Sequence, residues 1–150
     1  MVRAARAAGA APLLGLAPGG ARNAKAELAQ KRWPAARYAE LAVRLVARHP
    51  NARVVLIGGP ADRGEADAVR AALPGERVVD LVGATSIPEA RAAIAALDVL
   101  VVNDSALMHV AGTTDTPTIA VFGPTDPRTL CPRRPGVQAV WHPAAPTPCY

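Results

Sequence analysis

The residues that could do chemistry in this chain stand at the ends of apolar runs. The clearest group is Asn103-Asp104-Ser105, which interrupts the run Asp98-Val99-Leu100-Val101-Val102 just before a helical-looking segment that carries His109. A buried strand that breaks into a polar turn and then a helix is half of a βαβ unit. Open parallel sheets bind ligands outside the carboxyl ends of their strands. A helix starting near Asp104 turns unpaired N–H groups and the positive end of its dipole into that crevice, so a phosphorylated ligand is expected there first. Asp104 stands where a carboxylate either caps the helix or meets a ligand, and the residues leave both open. Ser105 and His109, four apart, share a helix face. A nucleophilic pair would need a group to orient His109 and a strand–G-x-S-x-G elbow, and neither is evident.

Other small or acidic loops follow apolar runs: Pro18-Gly19-Gly20, Gly58-Gly59-Pro60, Gly83, and Gly123-Pro124-Thr125-Asp126. Each alone is unspecific. Gly19-Gly20 reads equally as an ordinary strand exit or as a turn that lets backbone approach a ligand, and it fits neither G-x-G-x-x-G nor the Walker A pattern. Their concentration at strand ends is the signal for a cleft.

The elements that must position these loops alternate in type. Strands are expected at 12–17, 53–57, 77–81, 98–102 and 117–122, with one more possible at 137–141. Pro34 opens a helix reaching about His49, with Tyr38, Leu41, Leu45 and either Ala42 or Val46 on its buried face. Further helices are expected at 61–73, from Ser86 to about Leu97, and at 105–113, the second opened by a capping box of Ser86 and Glu89. Residues 22–33 read as a polar connection holding Lys25 and Lys31. Strand and helix alternating about five times predict an α/β fold, a doubly wound parallel sheet with helices on both faces. Right-handed crossovers leave the nucleotide-binding strand order as the expectation.

Composition narrows the function classes. At 150 residues the chain is one domain by size, and only 3% of it is aromatic, so its core must be built from Val, Leu, Ile and Ala. The net charge of +5 is almost all arginine, scattered and not interleaved with aromatics, which argues against nucleic-acid binding. No apolar run reaches the roughly 20 residues that span a bilayer, and 1–11 lacks the apolar stretch of a secretory signal. His49, His109, His142, Cys131 and Cys149 have no metal-ligand spacing. The two cysteines call for no disulfide, so a reduced chain is the default.

Five groups in order carry a family resemblance: Lys31-Arg32-Trp33-Pro34; Gly58-Gly59-Pro60; Thr85-Ser86; Asn103-Asp104-Ser105-Ala106-Leu107-Met108-His109-Val110-Ala111; and Val121-Phe122-Gly123-Pro124-Thr125-Asp126-Pro127. In this order they resemble the bacterial lipopolysaccharide heptosyltransferases of glycosyltransferase family 9, over about residues 12–131. The resemblance implies the donor-binding, C-terminal half of a two-domain GT-B enzyme, Rossmann-like in fold. It divides the chain into a lead-in (1–11), a nucleotide-sugar-binding domain (12–131) and a tail cut short (132–150).

The implied reaction is inverting transfer of heptose from ADP-heptose to the lipopolysaccharide inner core, without metal or other cofactor. Carried over by position, Lys31 contacts the donor phosphates and Asp104 the sugar hydroxyls. Ser105, Ala106 and the helix amides cradle the diphosphate, with His109 nearby and Gly19 and Gly20 lining the turn. Gly83 and Thr85 lie by the nucleotide, and Asp62 approximates an acidic residue on the adenosine ribose. The chain departs from the family at Ala106, where glycine is frequent, and in a longer loop between Gly20 and Lys31. A lipid A–Kdo type acceptor would be met through an N-terminal domain with no counterpart in these residues. The setting implied is cytoplasmic, at the inner face of the membrane, with peripheral contact to it. The other reading of the same fold is a non-catalytic nucleotide-binding module.

Overall fold

A computed structural model of the chain describes residues 11–20, 22–23 and 26–141. The lead-in before Ala11, Lys25, His142 and Cys149 lie outside the described residues. In chain order the elements are β1 (Leu13–Ala17), β2 (Arg22–Asn23), β3 (Ala26–Glu27), α1 (Ala35–Arg48), β4 (Arg53–Leu56), α2 (Arg63–Ala71) and β5 (Val78–Asp80). They continue with α3 (Ile87–Ala95), β6 (Val99–Asn103), α4 (Ala106–Ala111), β7 (Thr118–Phe122), α5 (Pro127–Leu130) and β8 (Val137–Trp141). Six strands form a sheet in the order β5-β4-β1-β6-β7-β8. Every pairing in it is parallel, with Gly15 of β1 opposite Val55 on one side and Leu100 on the other. This is the doubly wound arrangement that the alternation of strands and helices predicts, and the order is that of nucleotide-binding folds.

The two-residue period of the strands divides the core between the sheet faces. Val54, Leu56, Leu16 and Val101 point to one face and pack with Tyr38 and Ala42 of α1 and Ala66 and Val69 of α2. Val55, Ile57, Leu100 and Val102 point to the other, against Ile94 and Leu97 from α3 and its end and Met108 and Ala111 of α4. Tyr38 and Ala42 are the fully buried residues of α1. Leu41, Leu45 and Trp33, half-buried, border a wholly apolar groove of about 380 Å³ with Val99, Val101, Ile119, Val121 and Val140. Among the described residues, the face that α1 and α2 cover over β5-β4-β1 carries no helix over β6-β7-β8.

Several boundaries differ from the sequence expectation, each for a local reason. Part of the polar connection at 22–33 forms a small antiparallel ladder, Arg22 opposite Glu27 and Asn23 opposite Ala26, followed by a 3-10 turn at Ala29–Lys31; two-residue strands are too short to show an alternation. The helix expected at 61–73 is α2 preceded by a 3-10 turn at Pro60–Asp62. The one expected to 113 ends at Ala111, beyond which the Thr113 and Thr114 amides bond the carbonyls of Val110 and Ala111, three residues back instead of four, with their hydroxyls on the same carbonyls. The capping box forms as expected: Glu89 Oε2 accepts from the Ser86 amide at 2.8 Å and hydroxyl at 2.6 Å. Those bonds, the hydroxyl's first, hold the Glu89 carboxyl below its ordinary range. Among the described residues no helix is long and apolar enough to cross a membrane.

Candidate functional site

The exits of β1, β4, β6 and β7 lie along one edge of the sheet, as parallel strands require, and the segment before α1 lies across them. Trp33 anchors that segment: its backbone N–H donates to Asn103 Oδ1 at 3.0 Å, at the end of β6. Its ring meets that of Tyr38 edge to face, 5.1 Å between centroids. Two residues before it, Lys31 Nζ lies 2.8 Å from Asp104 Oδ2, with side-chain exposures of 14% and 6%. Thr125, fully buried, donates from Oγ1 to the same carboxylate oxygen at 2.6 Å. The two roles left open for Asp104 are thereby separated. Its side chain is turned to Lys31 and Thr125, while the N-cap of α4 is Ser105, which makes no side-chain capping bond.

The glycine turns close the arrangement. Gly20 has φ +93°, which favours glycine, and a Cβ there would stand 2.5 Å from Ser105 Cβ. The β1 exit therefore lies directly on the start of α4. Its amide donates to Asp62 Oδ1, and the Gly59 amide donates to Asp62 Oδ2, both at 2.8 Å. The buried Asp62 carboxylate thus fastens the exits of β1 and β4 together. Arg32 donates to Gly20 O at 3.2 Å and approaches Glu65 of α2 to 3.6 Å, pinning the same turn from above.

The β7 exit is equally fixed. A Cβ on Gly123 would meet Gln30 O at 2.2 Å, so the Lys31 segment rests on this glycine. Trp141 Nε1 donates to Gly123 O at 3.1 Å, and Arg128 lies over the Trp141 ring at 5.9 Å. Asp126 caps α5 by accepting from the Arg128 amide at 2.8 Å. The Arg128 guanidinium, foremost through its own hydrogen bonds, holds the Asp126 carboxyl below its ordinary range. Burial, joined by the negative charge of Asp104, pushes the half-buried Cys131 thiol up, which keeps it protonated and poorly nucleophilic.

The residues singled out by sequence fall into two neighbouring sets. Gly19, Gly20, Lys31, Asp104, Ser105 and Ala106 gather at the β1 and β6 exits, with His109 exposed one turn along α4. Gly83 and Thr85 follow β5 at the edge of the sheet, three strand spacings or about 14 Å from β6. Asp62 lies between the sets: its two amide bonds tie Gly20 to Gly59 of the β4 exit, and the Gly83 amide donates to Gly58 O of that exit at 2.9 Å. The sequence places Asn103, Gly123 and Thr125 in loops at strand ends and Arg32 beside Lys31, and assigns none of the four an individual contact. All four sit within the motifs quoted above, but their contacts cross between strand exits, and no spacing in the chain announces them. Among the described residues no cluster of three or more His, Cys, Asp or Glu is placed to hold a metal ion.

A parallel doubly wound sheet in the strand order β5-β4-β1-β6-β7-β8, with a lysine, a buried carboxylate and glycine turns on its carboxyl edge, places the chain in the Rossmann-like α/β class. The chain belongs to glycosyltransferase family 9 (heptosyltransferase), which it matches over residues 3–150. It is 40% identical over 120 residues to lipopolysaccharide heptosyltransferase 2 of Salmonella typhimurium, covering 77% of this chain and 32% of that protein. It is 39% identical over 124 residues to lipooligosaccharide heptosyltransferase 2 of Haemophilus influenzae, covering 80% and 34%. A solved structure of the E. coli ADP-heptose lps heptosyltransferase II has a TM-score of 0.77 and 33% identity, covering 89% of this chain and 39% of that one. The chain spans about a third of the length of the curated relatives it matches.

Proposed function

We propose that residues 12–131, with β8 added at the sheet edge, form the donor-binding unit of a heptosyltransferase, and that the donor is ADP-heptose. In the whole protein the heptose would pass, with inversion, to the inner core of lipopolysaccharide on a lipid A–Kdo type acceptor. The site of action is the cytoplasmic face of the membrane, with peripheral contact to it. Transfer calls on the remaining two thirds of the length seen in the relatives; the 150 residues supply the donor site.

The observation that carries this reading is the contact between Lys31 and Asp104 at the carboxyl edge of the sheet. A glycosyl transfer must stabilise a departing diphosphate and an oxocarbenium-like sugar centre. Lys31 supplies a positive charge for the first, so no metal ion is called for. Asp104 presents a carboxylate to the sugar: Lys31 and Thr125 both engage Oδ2, and we assign Oδ1 to the heptose hydroxyls. Ser105 and Ala106 lie where the diphosphate would pass, with His109 beside them. The nucleotide extends toward Gly83 and Thr85. Asp62 serves this site by joining the Gly20 and Gly59 turns, beneath the expected place of the adenosine ribose.

Calorimetric titration of the chain with ADP-heptose, a UDP-sugar and NAD tests the reading. ADP-heptose is expected to bind in preference to the other two. Lys31→Ala and Asp104→Ala should each weaken it by about 1–3 kcal/mol, the range for losing a charged hydrogen-bond partner. Preference for NAD would move the domain to a dehydrogenase-like role, and unchanged affinity in both variants would remove the assigned roles.

A further inference from the structure

Beyond the two residues assigned to the donor, we infer that Asn103 is the positioning residue of the site, on which the placement of Lys31 depends; the inference rests on the donor-binding reading above. Asn103 is the last residue of β6 and is fully buried, so it reaches no ligand. Its side-chain amide nevertheless joins three separate parts of the site. Oδ1 accepts from the Trp33 backbone N–H and from the Tyr38 hydroxyl, both at 3.0 Å. Nδ2 donates to Pro18 O at 2.9 Å and Gly19 O at 3.0 Å. The segment bearing Lys31, helix α1 and the glycine turn after β1 are therefore all referred to one side chain, adjacent in sequence to Asp104.

Only a neutral carboxamide does this. Two acceptor contacts and two donor contacts are needed at one buried place, and an amide offers both on one rigid plane. An aspartate would set a carboxylate against the carbonyls of Pro18 and Gly19. An alanine would leave two buried carbonyls, one buried amide and one phenol without partners. The Tyr38 end of the clamp is itself enclosed, and burial drives that phenol far above its ordinary pKa, so it remains a donor at any working pH. Breaking the clamp frees the Trp33 amide, and with it the segment that carries Lys31 to Asp104.

The test is a double-substitution cycle on ADP binding, measured by calorimetry on the 150-residue chain. Asn103→Ala is expected to weaken ADP about tenfold in the chain that retains Lys31, and less than about threefold in the Lys31→Ala background, because the loss passes through Lys31. In parallel, the Trp33 amide should lose hydrogen-exchange protection in Asn103→Ala without ligand present. Should Asn103→Ala not fold, Tyr38→Phe replaces it; it removes one donor from the clamp and should weaken ADP about threefold, again only when Lys31 is present. Equal losses in both backgrounds, or undiminished binding in a folded Asn103→Ala chain, would overturn the positioning role while leaving the donor site intact. Absence of ADP binding by the unsubstituted chain would instead overturn the donor-site reading.

Discussion

Asp104 is held by two donors of different kinds, a lysine ammonium and a threonine hydroxyl, on one carboxylate oxygen. On the proposed donor-binding reading, in which a diphosphate draws on Lys31, Thr125 is the remaining contact on that carboxylate oxygen. Thr125→Val keeps the shape and removes the hydroxyl, so it should cost about 1.5–3 kcal/mol of stability, the range for a hydrogen bond to a charged group. Urea unfolding measures that loss, and an unchanged midpoint would mean that Thr125 holds nothing. Asp104 stands out in the sequence because it follows an apolar run, whereas Lys31 lies in a polar connection and is marked only by the family resemblance of Lys31-Arg32-Trp33-Pro34. Thr125 lies in a loop after an apolar run too, yet the direction of its hydroxyl depends on how the β6 and β7 exits lie together. Asn103 reads as a turn residue because asparagine marks turns; in the structure it closes a strand, buried, with its amide fully engaged.

At the scale of elements, the site depends on backbone laid directly on backbone. Gly123→Ala puts a methyl group 2.2 Å from the Gln30 carbonyl oxygen, and a backbone group cannot turn aside as a flexible side chain can. The Gln30–Lys31 segment must shift, with a destabilisation of about 1–3 kcal/mol and weaker ADP-heptose binding. Calorimetry and chemical unfolding of the same variant check both; retention of full affinity would show that Lys31 does not need this support. Helix α1 carries a pH signature. The Tyr38 phenol is raised in the folded state by burial and titrates near pH 10 when unfolded. Its contribution is whole below about pH 10 and declines as pH rises above it. Tyr38→Phe should therefore show a flatter fall of melting temperature than the parent chain in that alkaline range; identical slopes would place the phenol in contact with solvent. The long helices and the strands of this fold were legible from apolar spacing and from the capping box at Ser86. The β2–β3 ladder and the early end of α4 were not, because two-residue bridges and a last turn tightened to three-residue bonds leave no period to read.

At the scale of the whole molecule, alternation of strand and helix carried most of the information. Right-handed crossovers turn that alternation into few orders, and the observed β5-β4-β1-β6-β7-β8 is the nucleotide-binding one. Which parts of the sheet the described residues leave uncovered was not legible: the apolar character of Val99, Ile119 and Val121 is the same whether a helix or a groove lies over them. The same topology brings Lys31 and Asp104 together across the long loop between β1 and α1, and the proposed donor must meet both. A crystal structure of the chain with ADP-heptose tests this most directly. The diphosphate is expected within hydrogen-bond reach of Lys31 Nζ, with the heptose against Asp104 and the nucleotide extending toward the β4 and β5 exits. A nucleotide-sugar seated away from the carboxyl edge of the sheet, with Lys31 still paired to Asp104 and out of reach of any phosphate, would contradict it.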